Sequence, residues 1–296
     1  MDIPHKSVLL DEVLQVLKPR DNGNYLDCTF GAGGYTRAIL QFAKCNVIAI
    51  DRDITTKKFA NEIKNERFTY YNMKFSEIDK LNMKFDGIVF DIGVSSMQID
   101  DGSRGFSFQK DAPFDMRMGN NELSASDIVN LSGEGNLSDI IYKYGDEVKA
   151  RHIAKKIVAN RPLNTTFELA NIVRSFYPKR SKIDPATKTF QAIRIAVNNE
   201  LDELEIALDK AKSLLNDGGR IVVVSFHSLE DKIVKNFVKK LANNKKVDKY
   251  KDRHDEFREI TKKPISPTNR EIAENVRSRS AKLRGIEKCW TKLDCS

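Results

Sequence analysis

Cysteine and histidine are scarce in this chain, and their scarcity argues against whole classes of function. The 296 residues hold four cysteines, Cys28, Cys45, Cys289 and Cys295, with no CxxC spacing, and four histidines that form no pair. Neither a zinc frame nor a disulfide scaffold is indicated, so the cysteines read as reduced thiols and no metal site is expected. No apolar run approaches the ~20 residues of a membrane span. The start, Met1-Asp2-Ile3-Pro4-His5-Lys6, lacks the apolar stretch of a signal peptide. A cytoplasmic location away from membranes is the expectation. Acidic residues are the minority, 42 against 50 Lys and Arg, for a net charge of +8. That balance suggests nucleic acid or another acidic partner.

What is present is a set of three aspartates, each at the end of an apolar run. The first opens a glycine-rich turn, Asp27-Cys28-Thr29-Phe30-Gly31-Ala32-Gly33-Gly34, and the others are Asp51 and Asp91. In an open parallel sheet ligands lie across the carboxyl ends of the strands where strand order reverses, so the three acids should converge there. A dinucleotide would bring a pyrophosphate to the turn, and Asp27 would repel it. The NAD fingerprint also fails on count, because its third glycine position is Thr36. S-adenosylmethionine carries a sulfonium and an ammonium instead. One carboxylate about 4 Å from such a cation gains roughly 4 kcal/mol, before desolvation, at an effective dielectric near 20. Asp51, 20 residues beyond Gly31, stands at the distance where an acid meets ribose hydroxyls.

Short β-rich runs alternate with amphipathic stretches up to about residue 90, the pattern of parallel βαβ units. Helices are expected over 34–43 and 54–64. From 108 to about 212 the apolar residues recur at helical spacing, as in Ile153-Ile157-Val158 and Leu201-Leu204-Leu208. The sheet resumes as a buried strand over 218–226, followed by a helix capped by Ser228. The expected architecture is therefore α/β: a Rossmann-like core over 1–107 and 213–296, interrupted by a helical substrate lobe over 108–212, with a basic tail.

Seven ordered blocks carry a resemblance. They are Asp27 to Thr36, Asp91-Ile92-Gly93-Val94-Ser95-Ser96-Met97-Gln98, Arg104-Gly105-Phe106-Ser107-Phe108, Phe114-Asp115-Met116-Arg117-Met118, Phe190 to Asn198, Ser225-Phe226-His227-Ser228-Leu229-Glu230-Asp231 and Arg279-Ser280-Ala281-Lys282-Leu283-Arg284. Together they resemble the RsmH, or MraW, family. The resemblance implies a class I S-adenosylmethionine-dependent methyltransferase acting on N4 of a cytosine in small-subunit (16S) ribosomal RNA, near the decoding centre. It further implies that Gly33, Gly34, Tyr35, Asp51, Phe75, Asp91 and Gln98 contact the cofactor. Tyr35 stands where the family usually has histidine, and Val276-Arg277-Ser278 replaces a more usual Pro-Arg-Ala.

Transfer from a sulfonium is an in-line displacement, so positioning and exclusion of water should dominate. Asp91, or a backbone carbonyl in 93–96, can accept from the cytosine amino group. His227 is the other catalytic candidate, to orient the base or shuttle a proton, with a helix-capping role as its alternative. His5 reads as a lid or as an ordinary exposed histidine. Phe75 stacks on adenine or packs in the core. Arg104 and Phe106 suit a splayed-out nucleotide or form a hinge. Arg277, Arg279, Lys282 and Arg284 form a phosphate stripe, unless the last of them lie in a final strand. The alternatives in function are a DNA cytosine-N4 or adenine-N6 methyltransferase and a non-catalytic rRNA-binding assembly factor. A homodimer is possible on either reading.

Overall fold

The computed structural model describes residues 7–178, 183–243, 245–248 and 251–290. They form two compact units, one of residues 1–93 with 201–296 and one of residues 94–200. No described helix is long and apolar enough to cross a membrane.

The first unit is built on a seven-stranded sheet. Its strands are β1 (Asn24–Asp27), β2 (Asn46–Asp51), β3 (Phe68–Asn72), β4 (Phe85–Asp91), β5 (Leu215–Ser225), β8 (Phe257–Glu259) and β9 (Lys282–Lys288). They lie in the order β3-β2-β1-β4-β5-β9-β8. Pairing is parallel from β3 through β5, whereas β9 runs antiparallel to both β5 and β8. The chain builds outward from β1 to β3 and then returns to lay β4 on the other side of β1, so strand order reverses between β1 and β4. A separate antiparallel pair is formed by β6 (Lys245–Asp248) and β7 (Lys251–Asp255).

Period-two alternation explains why the central strands are apolar throughout. Ile88 and Phe90 of β4 and Ile221 and Val223 of β5 enter a core shared with Leu204 and Leu208 of α10 (Glu200–Leu214) and Val234 and Val238 of α11 (Ser228–Ala242). The intervening Val89, Val222 and Val224 face the other side. There they meet Val13 and Leu17 of α1 (Leu10–Leu17) and Ile39 of α2 (Gly34–Phe42). Helix α10 thus packs its 204-207-208-211 stripe on the sheet, although its residues fall in the span expected for the inserted lobe. The helix expected over 54–64 is reduced to a 3-10 turn, Ile54–Thr56, and the single turn α3 (Lys57–Ala60). Asp53 accepts from both the Thr55 backbone N–H and its hydroxyl, and such local side-chain bonds favour turns over helix. A short helix, α12 (Asn269–Glu274), precedes the last strand.

The second unit holds α4 (Ser96–Asp100), an irregular stretch, and α5 (Ala125–Leu131), α6 (Glu134–Gly145), α7 (Ala150–Ala159), α8 (Thr166–Arg174) and α9 (Ala186–Asn198). Its core joins Leu137 and Ile141, Ile153 and Ile157, Leu169 and Val173, and Phe190 and Ile193, pairs three or four residues apart on one helix face. Ser124 and Thr165 start α5 and α8 with reciprocal capping boxes.

Candidate cofactor site

At the reversal of strand order the sheet delivers Asp27 from β1 and Asp91 from β4, with Asp51 one strand farther out on β2. Asp27 is fully buried. It accepts from the Thr29 backbone N–H at 3.1 Å and from the Thr36 hydroxyl at 2.7 Å, tying the end of β1 to the first turn of α2. Burial lifts its carboxyl to about 6. Asp27 is therefore an internal strut of the glycine turn.

Asp51 is the link between strand and turn. One carboxylate oxygen accepts from Gly31 N–H and the other from Asp53 N–H, each at 2.8 Å. Each oxygen keeps a second lone pair. Burial, followed by like charge from Asp53 and Asp27, raises its pKa to about 6 against the hydrogen bonds that lower it. Asp91 differs in being unsatisfied. Its backbone N–H donates to the Thr29 hydroxyl at 2.7 Å, while Oδ1 is buried with no hydrogen-bond partner among the described residues. Burial first, and then Asp27 and Glu230, hold this carboxyl well above the ordinary range.

The glycine turn requires its glycines. Gly31 and Gly33 have φ of +54° and +81°, and a Cβ on Gly33 would lie 2.8 Å from the Phe30 ring. A Cβ on Gly34 would fall 1.9 Å from Ser7 Oγ, because the chain before α1 crosses this turn. Tyr35 turns its side chain inward. Its ring is buried in the core with Ile39 and Val89, and its hydroxyl donates to the Val8 carbonyl, leaving backbone as what it presents at the turn. Phe75 opens a 3-10 helix beside β4, half-buried and edge-on to Phe90 at 6.1 Å, so it combines core packing with an exposed edge.

His227 caps α11. Nδ1 accepts from Glu230 N–H at 3.3 Å, and Nε2 lies 3.0 Å from Glu230 Oε1. The other Glu230 oxygen accepts from Phe226 and His227 N–H at 2.8 and 3.2 Å. Glu230 is fully buried, and its charge acts on Asp91. Its signal in the sequence is its place three residues after a capping position.

Gln98, Arg104 and Phe106 belong to the second unit. Gln98 Oε1 accepts from Ser95 N–H at 3.0 Å and so closes the cap of α4. Arg104 donates to the Arg117 carbonyl at 2.7 Å and lies over the Phe106 ring. Between them Gly105 has φ +69°, and a Cβ there would meet the Pro113 carbonyl at 2.4 Å. This knot is packed against the lobe's own core. In the tail, Arg277 and Arg279 are exposed. Lys282 and Arg284 lie in β9 and bind Asp231 at 3.1 and 2.8 Å, Arg284 being buried. Of the four cations expected as a stripe, Lys282 and Arg284 are thus engaged by Asp231 of α11, while Arg277 and Arg279 face solvent. His5 lies outside the described residues.

Comparison with known proteins places this geometry. The model of the MraW methylase family matches residues 2–289. Ribosomal RNA small subunit methyltransferase H of Rickettsia conorii is 51% identical over 299 residues, covering 96% of this chain and 97% of that protein. The protein of the same name from Rickettsia bellii is 51% identical over 304 residues, covering 97% of this chain and 100% of its own. A solved putative rRNA-methylase from Clostridium thermocellum covers 97% of this chain and 100% of that one at 15% identity, with a TM-score of 0.45, too distant to add to the topology. With the whole described sheet and lobe inside the matched residues, the chain belongs to the MraW methylase family.

Proposed function

We propose that this chain transfers a methyl group from S-adenosylmethionine to N4 of a cytosine in small-subunit (16S) ribosomal RNA near the decoding centre. The observation that carries the cofactor part is the buried, unpartnered Oδ1 of Asp91 at the reversal of strand order. An acceptor left without a donor in a low-dielectric site is costly and calls for a cation or N–H group. The donor set fits: carboxylates for an ammonium and ribose hydroxyls, and a glycine turn for close backbone approach. The rRNA part rests on the family and on the names of the relatives.

When bound, S-adenosylmethionine supplies an electrophilic methyl group on a sulfonium. Asp51, fixed by Gly31 and Asp53, accepts the ribose hydroxyls through its remaining lone pairs. The backbone at Gly33, Gly34 and Tyr35 would hold the cofactor, and Phe75 would hold its adenine. Asp91 accepts from the cofactor's ammonium or from the target amino group. The latter bond favours the pyramidal nitrogen, whose lone pair is otherwise delocalised into the ring. His227 shapes the site by holding Glu230 and the start of α11. Arg277 and Arg279 take backbone phosphates, while the target base is splayed out of its stack.

The test is methyl incorporation into assembled small subunits, naked rRNA and duplex DNA, with mass mapping of the modified nucleoside. N4-methylcytidine at one small-subunit position is the expected result. Incorporation into DNA alone, or none despite cofactor binding, overturns it.

A further inference from the structure

A second site lies at the opposite end of the sheet from Asp27 and Asp91. A cavity of about 320 Å³ opens where the parallel strands begin, lined by Lys18, Arg20, Arg220 and Arg258 against Asp86 and Glu287. The four cations outnumber the acids: Arg20 binds Asp86 at 2.6 Å, and Arg220 and Arg258 share Glu287, each at 2.6 Å. Each guanidinium has five N–H donors in a planar fork, so one carboxylate between two of them leaves donors over. Arg20 and Arg258 turn much of their side chains to solvent, 51% and 68% exposed.

The same cavity carries the chain's single tryptophan, Trp290. It is exposed, yet its placement is fixed from one side. Gly218 has φ +73°, and a Cβ there would fall 2.7 Å from the indole, so the ring edge rests on bare backbone. An exposed aromatic platform beside surplus guanidinium groups matches the chemistry of a ribonucleotide within a single strand, with stacking for the base and cations for the phosphate.

We infer that this cavity binds a single-stranded segment of the RNA substrate, with a base on Trp290 and phosphate on Arg258 and Arg20. The inference rests on the reading that the substrate is RNA. Asp86 and Asp91 stand five residues apart on β4, roughly 17 Å at strand spacing. A short segment flanking the target therefore reaches from one end of the sheet to the other. Such an anchor supplies affinity remote from the reacting atoms.

Because Trp290 is the chain's one tryptophan, its emission reports on this site without any assay of methyl transfer. Titrating the full chain with a short single-stranded RNA oligomer should quench that emission saturably. Arg258→Ala should weaken the effect several-fold and lower the slope of log affinity against log salt by about 0.7. Trp290→Ala should weaken a labelled oligomer roughly tenfold and raise KM for rRNA. Unchanged S-adenosylmethionine affinity checks that each variant is folded. Emission untouched by the oligomer, or quenching indifferent to Arg258→Ala, overturns the inference. Quenching by cytidine monophosphate at the oligomer's own concentrations assigns the cavity to a free nucleotide and overturns it equally. Methyl transfer to small subunits by the same wild-type preparation separates the two failures: transfer without quenching sinks this inference alone, and quenching without transfer sinks the proposed reaction alone.

Discussion

Asp51 accepts the backbone N–H of Gly31 at 2.8 Å, so the acid we propose for the ribose is also the clasp that holds the glycine turn to β2. One side chain therefore sets both the shape and the polarity of the site. Asp51→Ala should remove ribose bonds worth about 1.5–3 kcal/mol for a charged acceptor and loosen the turn as well. Calorimetry should show S-adenosylmethionine weakened by at least tenfold. Unchanged affinity contradicts the placement of the ribose at Asp51.

The pH dependence of binding follows from the same group. Asp51 has its folded pKa raised to about 6 from 3.8, so the ionised form is disfavoured in the free protein and its proton is held more tightly than in the unfolded chain. This group's contribution to stability is fully present below the unfolded value and declines as pH rises from about 4 to about 6. A ligand that needs the carboxylate must displace the proton. Cofactor affinity should therefore rise from pH 5 to pH 7, with proton release measurable as a dependence of binding heat on buffer. A flat profile counts against the assignment.

Gly33→Ala is expected to destabilise the turn by about 1–2 kcal/mol from the left-handed backbone alone, and by more from the Phe30 ring 2.8 Å from the added carbon. The expected readouts are a lower Tm and weaker cofactor binding together. A variant with full stability and affinity requires a different backbone at this position.

The two halves of the basic tail should separate by phenotype. Arg284→Ala strips a buried partner from Asp231 and should lower stability by about 3 kcal/mol, the scale for breaking a buried pair. Arg279→Ala, at an exposed position, should leave denaturant unfolding unchanged and weaken rRNA binding in a salt-dependent way. The reverse pattern contradicts this division between a structural and an RNA-binding half.

His227→Asn preserves a good capping residue and deletes the imidazole. Since Nδ1 accepts from Glu230 N–H and Nε2 faces the buried Glu230 carboxylate, this variant should keep the cap, lower Tm through the lost Glu230 contact, and retain most of its kcat. A loss of kcat by two orders of magnitude with normal stability reinstates His227 as a proton carrier.

The sequence by itself determined the sheet, the glycine turn and the positions of Asp51 and Asp91, because these follow from local rules. Apolar runs make buried strands, a reversal of strand order makes a crevice at their carboxyl ends, and left-handed backbone demands glycine. It also determined the family, through blocks that keep their order along the chain. Only the tertiary structure decided which side chains the site receives. Asp27 went inward because Thr29 and Thr36 satisfy it there. Tyr35 was drawn into the core by the Val8 carbonyl, and Arg284 was turned onto Asp231 by the pleat of β9. The choice between binding a ligand and binding the protein itself depends on partners far away in sequence, and those partners are brought within reach only when the sheet closes.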